Sequence, residues 1–354
     1  MKKILKRIVI VVMTLVLALT IAGYAVFHNE MTSLSSLKKV DNHPLYTMEY
    51  TADYGLERFM ETGASSDEEL TQFVIKQVLK GLPLTIKIPN LGCSTFLAEN
   101  TEGGYLFGRN FDMDYSPAIL VRTAPKNGYA SLSMVNLAFL GYGEDNLPDS
   151  FKSSLLSLAV PYAPLDGINE MGLAVGVLLI PTEATDQKTD KVDITTTTAI
   201  RMMLDTCSNV NEAVKMLSQY DMHSSANSCY HFQIADAAGN SVVVEYIDNE
   251  MKIVEKEGNY QCATNFLLTP GKYDFGKGYD RYEILDTTLK EKEGKLTSNA
   301  AMNLLSSIAQ APHKTDDDKI SETQWSCVYD LNEKSVTISM KQDYSKSYTY
   351  YVNE

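Results

Sequence analysis

Cys93, Arg109 and Asp112 are the residues of this chain whose types and spacing most directly allow chemistry. A thiol attacks as its thiolate, and a nearby arginine favours that form. Residues 92–112 read as a β-hairpin. Positions 95–99 alternate, 100–104 are rich in turn residues, and 105–108 return. The returning strand is expected to bring Arg109 and Asp112 back beside Cys93, at the start of the first strand. Asp112 can then hold a donor next to the thiol, and if that donor is an amine no catalytic histidine is needed.

The rest of the chain must build a frame for this hairpin. With 354 residues, 44% hydrophobic and 21% charged, it has ordinary globular composition, enough for one large domain plus additions. A net charge of −14 argues against nucleic acid, which requires a basic face, and gives no attraction to anionic lipid. With Cys93 set aside, Cys207, Cys229, Cys262 and Cys327 lack metal-type spacing and are too sparse for a disulfide scaffold. Buried thiols are expected, and one or two bridges stay open.

Lys2, Lys3, Lys6 and Arg7 precede an apolar run over 8–27 that is long enough to span a bilayer. Gly23-Tyr24-Ala25 offers a cleavage site, so residues 1–27 read as a signal anchor or a cleaved signal. Either places the rest outside the cytoplasm, tethered to the membrane or secreted. Residues 28–92 form a separate segment. A capping box at Ser66–Glu69 opens a helix with Leu70, Phe73, Val74 and Val78 on one face, ended by Gly81 and Pro83. That helix either packs on the next domain or belongs to a pro-segment covering the site. Downstream, strand-like runs fall at 131–139, 155–160, 173–180, 230–235, 241–247 and 251–254. Helices are expected over 195–206, 210–219, from Gly278 to about 291, and over 298–309. The runs 325–330, 335–340 and 347–352 close the chain as an antiparallel meander. Strands, then helices, then strands indicate an α+β fold with antiparallel sheets.

A cysteine followed by Gly108-Arg-Asn-Phe-Asp112, with Arg at +16 and Asp at +19, resembles the choloylglycine hydrolase and penicillin V acylase family. It is similar also to acid ceramidase and N-acylethanolamine acid amidase. All are N-terminal-nucleophile (Ntn) hydrolases of linear amides. The resemblance implies an αββα sandwich of two stacked sheets over 93–354. It also implies a cut between Gly92 and Cys93 that frees the cysteine α-amine as general base. An α-amine has a reference pKa of about 7.7–8.0, close to working pH.

Other residues follow from the same resemblance. Residues 166–173 match a family turn, where Asn169 is expected to serve the turn itself and is carried as a substrate-site candidate. Leu179 falls where a backbone amide meets the oxyanion. Bile-salt hydrolases have Asn there and penicillin V acylases Tyr, so a lipid-like acyl chain is expected instead. Cys262-Ala-Thr-Asn265 resembles a Thr-Asn strand end whose Asn donates to the oxyanion. Gly278–Tyr282 resembles a stretch whose arginine, here Arg281, supports the nucleophile, although Gly or Asp replaces its Ser. The implied activity is cleavage of small-molecule N-acyl amides without metal or organic cofactor, with homo-oligomerisation left open. Bile-salt or penicillin V hydrolysis is the alternative within the fold. Two rivals come from other classes: a papain-type Cys–His hydrolase using His223, His231 or His313, and an inactive membrane-tethered binding module.

Overall fold

The structure, a computed structural model, describes residues 6–7, 9–10, 12–14, 27–84, 92–315 and 318–354. Most of the apolar N-terminal run therefore lies outside the described residues, as does the segment 85–91 ahead of Gly92. Among the described residues no helix is long and apolar enough to cross a membrane.

Strands are numbered in chain order. One sheet runs β1 (Lys38–Asp41), β2 (Leu45–Tyr50), β5 (Ala118–Thr123), β6 (Ser131–Asn136), β7 (Pro164–Asn169), β8 (Ala174–Ile180), β11 (Cys229–Ala235), β12 (Ser241–Ile247), β13 (Glu250–Glu255). The other runs β14 (Gln261–Ala263), β3 (Gly92–Asn100), β4 (Tyr105–Met113), β17 (Ile320–Asp330), β18 (Ser335–Met340), β19 (Tyr348–Tyr351). Short strands β15 (Lys295–Leu296) and β16 (His313–Lys314) flank β3 and β17, while β9 (Val192–Thr195) and β10 (Tyr220–His223) pair apart.

The expected hairpin is β3–β4, with Gly92 opposite Asp112 and Cys93 opposite Phe111. The sheets stack where Thr95 and Phe107 approach Gly176 of β8, where an added Cβ would lie 3.1 Å from Thr95 Cγ2. Helix Thr196–Thr206 is buried against the first sheet. Helices Tyr279–Glu291 and Ser298–Ser307 cover the second, with Leu285, Leu289 and Leu305 packed against Phe96 and Leu106. This is the αββα layering.

Three expectations are corrected. The sheets are not wholly antiparallel, because β2 pairs with β5 in parallel. The run 155–160 is not a strand but part of the 3₁₀ helix Leu155–Tyr162. An unbroken apolar run lacks the period that separates strand from helix, and Pro161 has no N–H for a ladder. At the helix Asp67–Gln77, Ser66 caps the Glu69 amide as expected, but Glu69 turns to the Ser65 amide and hydroxyl instead of closing the box. All five cysteines are buried and unpaired.

The segment ahead of Cys93 is built into this frame. Leu45, Phe59, Leu70 and Val74 are buried in the main core. The Tyr50 hydroxyl donates to the Leu158 carbonyl at 2.8 Å and that of Tyr54 to Asp205 at 2.5 Å. Burial of such side chains stabilises by about 1.5–3 kcal/mol each. Four of them rival the whole net stability of a domain, about 5–15 kcal/mol.

Candidate active site

Alternation along β3 and β4 divides the site between two faces. Thr95, Phe107 and Arg109 face the first sheet, where Arg109 Nε donates to Asp166 Oδ2 on β7 at 3.3 Å. Asn110 and Asp112 face the helices: Asn110 donates to the Leu305 carbonyl and Asp112 meets Arg281. Arg109 and Asp112 therefore reach the start of β3 from opposite sides. Arg109 lies on the face of the thiol, and Asp112 on the other face, opposite Gly92.

Cys93 is fully buried. Burial pushes its thiol pKa up. Arg109 and Arg281 pull it down by their charge, Asp112 pushes it up further, and the net shift is upward. The expected thiolate is thus not the resting form in the continuous chain, and attack requires a base. Arg109 Nη1 and Nη2 are buried without a hydrogen-bond partner. Burial works against the Arg109 charge, but Cys93 and Asp166 outweigh it and its pKa moves up.

Arg281 is the hub on the other face. Its Nη1 donates to the Cys93 carbonyl (2.8 Å), Ser94 Oγ (2.6 Å) and Asp112 Oδ2 (2.9 Å), and its Nη2 donates to Asn265 Oδ1 (2.8 Å). The side chain folds back over its own helix start. A Cβ at Gly278 would lie 2.6 Å from Nη2, and its φ of +76° already favours glycine. This explains the glycine where the resemblance has serine. Asp112 further accepts from Thr323 Oγ1 at 2.5 Å and Gln310 Nε2 at 3.0 Å. Burial raises its pKa, with Arg281 and Thr323 opposing.

Asn265 Oδ1 accepts from the Cys93 amide at 2.9 Å as well as from Arg281, and Nδ2 donates to the Leu179 carbonyl at 2.9 Å. Arg281 can only donate, so the atom facing it must be the oxygen. One Nδ2 hydrogen remains available. β7 pairs with β8 only as far as Gly176, leaving Val177–Ile180 without a ladder partner on that side. Leu179 enters the site through its backbone. Its side chain lies on the face opposite Gly176, so it is not the apolar wall facing the second sheet. Asn169 serves the turn as expected and is withdrawn as a substrate-site candidate. Its Oδ1 accepts from the Met171 and Leu173 amides and its Nδ2 donates to the Leu204 and Cys207 carbonyls. It sits at the far end of β8 from Leu179, about 20 Å away at strand rise, and serves the turn.

A cavity of about 510 Å³ opens on Gly92, walled by Asn265, Lys277, Arg281, Gln310 and His313. His223 pairs with Asp186 and Asp193, and His231 with Glu245 and the Thr264 carbonyl. His313 is exposed and bonds the Ala311 carbonyl. Among the described residues no group of three or more His, Cys, Asp or Glu side chains is placed to hold a metal ion.

Residues 99–344 match the family model of acyl-coenzyme A:6-aminopenicillanic acid acyl-transferase. The chain belongs to this family. Cys93 lies just ahead of the matched range. Penicillin V acylase from Pectobacterium atrosepticum is 30% identical over 111 residues, 28% of this chain and 29% of that protein. Bile salt hydrolase/transferase from Clostridium perfringens is 27% identical over 195 residues, 49% of this chain and 53% of that protein. The chain thus spans about half, or less, of the curated relatives it matches. A mutant conjugated bile acid hydrolase from Clostridium perfringens shares the fold with a TM-score of 0.55 at 17% identity, covering 74% of this chain and 92% of that one. The choloylglycine hydrolase resemblance and its Ntn fold hold.

Within the family frame, three site residues were not legible in advance. Asp166 stood in the quoted turn, yet its partnership with Arg109 and Tyr329 crosses between sheets. Thr323 reaches Asp112 because a bulge between Thr323 and Trp325 re-aims β17. Gln310 arrives from the loop after helix Ser298–Ser307. No spacing announces either.

Proposed function

We propose that the chain is an exported cysteine Ntn hydrolase that frees Cys93 by cutting after Gly92 and then cleaves the C–N bond of N-acyl amides. The observation that carries this reading is the set of contacts around the Gly92–Cys93 bond. Asn265 holds the Cys93 nitrogen, Arg281 its carbonyl, and Asp112 stands beside Gly92. These groups surround the atom that becomes the α-amine.

Besides the amide, water is the one reactant consumed. The α-amine takes the thiol proton while Arg109 favours the thiolate, and sulfur attacks the amide carbonyl. The free Asn265 Nδ2 hydrogen and the Leu179 amide receive the oxyanion. Collapse expels the amine, which takes the proton from the α-ammonium that Asp112 orients. Water, deprotonated by the α-amine, hydrolyses the thioester and restores the thiol.

An amide with a lipid-like acyl chain is the favoured substrate. The apolar run over 8–27 ends at Phe27, which lines an apolar cavity of about 420 Å³ with Met31, Leu34, Leu82 and Leu158. Such a surface suits a domain working beside lipid. Each buried CH₂ contributes about 0.8 kcal/mol, so kcat/KM is expected to rise steeply from C8 to C18 amides. A flat series beside brisk turnover of taurocholate or penicillin V would move the substrate to those classes.

The residues ahead of the cut act as a pro-segment that stays. Given their share of the core, the fragment ending at Gly92 should co-elute with the fragment starting at Cys93 in size exclusion and separate only in denaturant. Separation under native conditions would show that the first sheet survives without β1 and β2.

A further inference from the structure

His231 and Glu245 are fully buried and take no part in the steps above. His231 Nε2 lies 2.8 Å from the Thr264 carbonyl oxygen, which can only accept, so that nitrogen carries a hydrogen. Nδ1 lies 3.3 Å from Glu245 Oε1. Glu245 also accepts from the Leu268 amide at 2.6 Å and the Thr269 amide at 3.0 Å. Burial works against its charge, but His231 and these amides outweigh it, and its pKa sits below the ordinary value. The Thr264 carbonyl and the Glu245 carboxylate thus hold the ring at both of its nitrogens.

The pair grips the chain on both sides of Asn265. His231 holds the carbonyl of the residue before it, and Glu245 holds the amides three and four residues after it. The Asn265 carbonyl itself accepts from the Lys277 amide at 2.8 Å. Nothing in the local sequence around Asn265 supplies this restraint, since β11 and β12 belong to the other sheet. We propose that the buried His231–Glu245 pair positions the Asn265 carboxamide for the reaction at Cys93. This rests on the amidase reading, and makes His231 a positioning residue without a proton-transfer role.

A double-mutant cycle tests it. Each variant is matured by a site-specific protease whose recognition sequence replaces residues 86–92, so maturation does not depend on the groups under test. Glu245→Gln keeps the shape and removes the charge. It should lower kcat by about 10- to 100-fold, the scale of a sub-ångström to 1 Å misplacement, with KM nearly unchanged. In an Asn265→Ala background the same change should have no further effect on kcat. His231→Gln, which keeps one N–H for the Thr264 carbonyl, should recover part of the activity lost in His231→Ala. Equal fold-losses with and without Asn265 would overturn the proposal, as would wild-type kcat in Glu245→Gln. Should Glu245→Gln fail to fold, His231→Gln takes its place in the cycle with the same expectations. Wild-type enzyme that hydrolyses no amide would instead remove the amidase reading, and is measured first.

Discussion

Cys93→Ala should remain a full-length chain without amidase activity, whereas the wild type should mature with Cys93 as residue one. The reason is chemical necessity. An internal cysteine has no α-amine, and the buried thiol is held protonated by its surroundings. On the proposed mechanism the first turnover is made on the chain itself: sulfur attacks the Gly92 carbonyl, the thiol proton passes to the Cys93 nitrogen as the C–N bond breaks, and water hydrolyses the resulting thioester to free the Gly92 carboxylate and the Cys93 thiol. Gly92 also faces steric limits. A Cβ there would lie 3.0 Å from Gln310 Nε2 and 3.1 Å from Asp112 Cβ. Gly92→Ala should consequently cut slowly. Gly92 is not among the positive-φ residues, so crowding and not backbone torsion calls for glycine here. N-terminal sequencing and intact mass of the purified protein decide the matter. A mature N-terminus well away from Cys93, or a Cys93→Ala chain cut like the wild type, would end the self-activation mechanism.

Arg281→Met should lose both maturation and stability. One guanidinium joins the Cys93 carbonyl, Ser94, Asp112 and Asn265, and removing it strands the fully buried Asp112 carboxylate. Breaking a buried pair from one side costs about 3–5 kcal/mol, visible as a clear fall in the denaturation midpoint. Arg281→Lys should restore part of the stability but little cutting, because an ammonium cannot reproduce the two-pronged reach to Asp112 and Asn265. Combining Arg281→Met with Asp112→Asn should recover stability by removing the stranded charge, while activity stays lost. That divergence separates the two roles of the arginine. A variant that melts like the wild type and cuts at the same rate would reduce Arg281 to a bystander.

Local sequence determined the hairpin, and with it the neighbourhood of Cys93, Arg109 and Asp112. All three lie within 20 positions on two strands joined by one turn, so turn chemistry and alternation suffice to bring them together. The helices at Thr196–Thr206 and Tyr279–Glu291 were legible for the same reason, since their periodicity is carried by adjacent residues. Asn265, Arg281 and the Leu179 backbone were legible only through the order of family-like motifs. No local property of Asn265 distinguishes it from a turn residue. Alternation along one strand puts Arg109 and Asp112 on opposite faces, and tertiary structure decided what each face meets. It decided also that Asp166 partners Arg109, that Thr323 and Gln310 close on Asp112, and that β1 and β2 extend the first sheet. Each of these is a contact between segments far apart in the chain. Its energy comes from removing charge and apolar surface from water in a space that both sheets must first enclose, and a short window of sequence holds no record of that space.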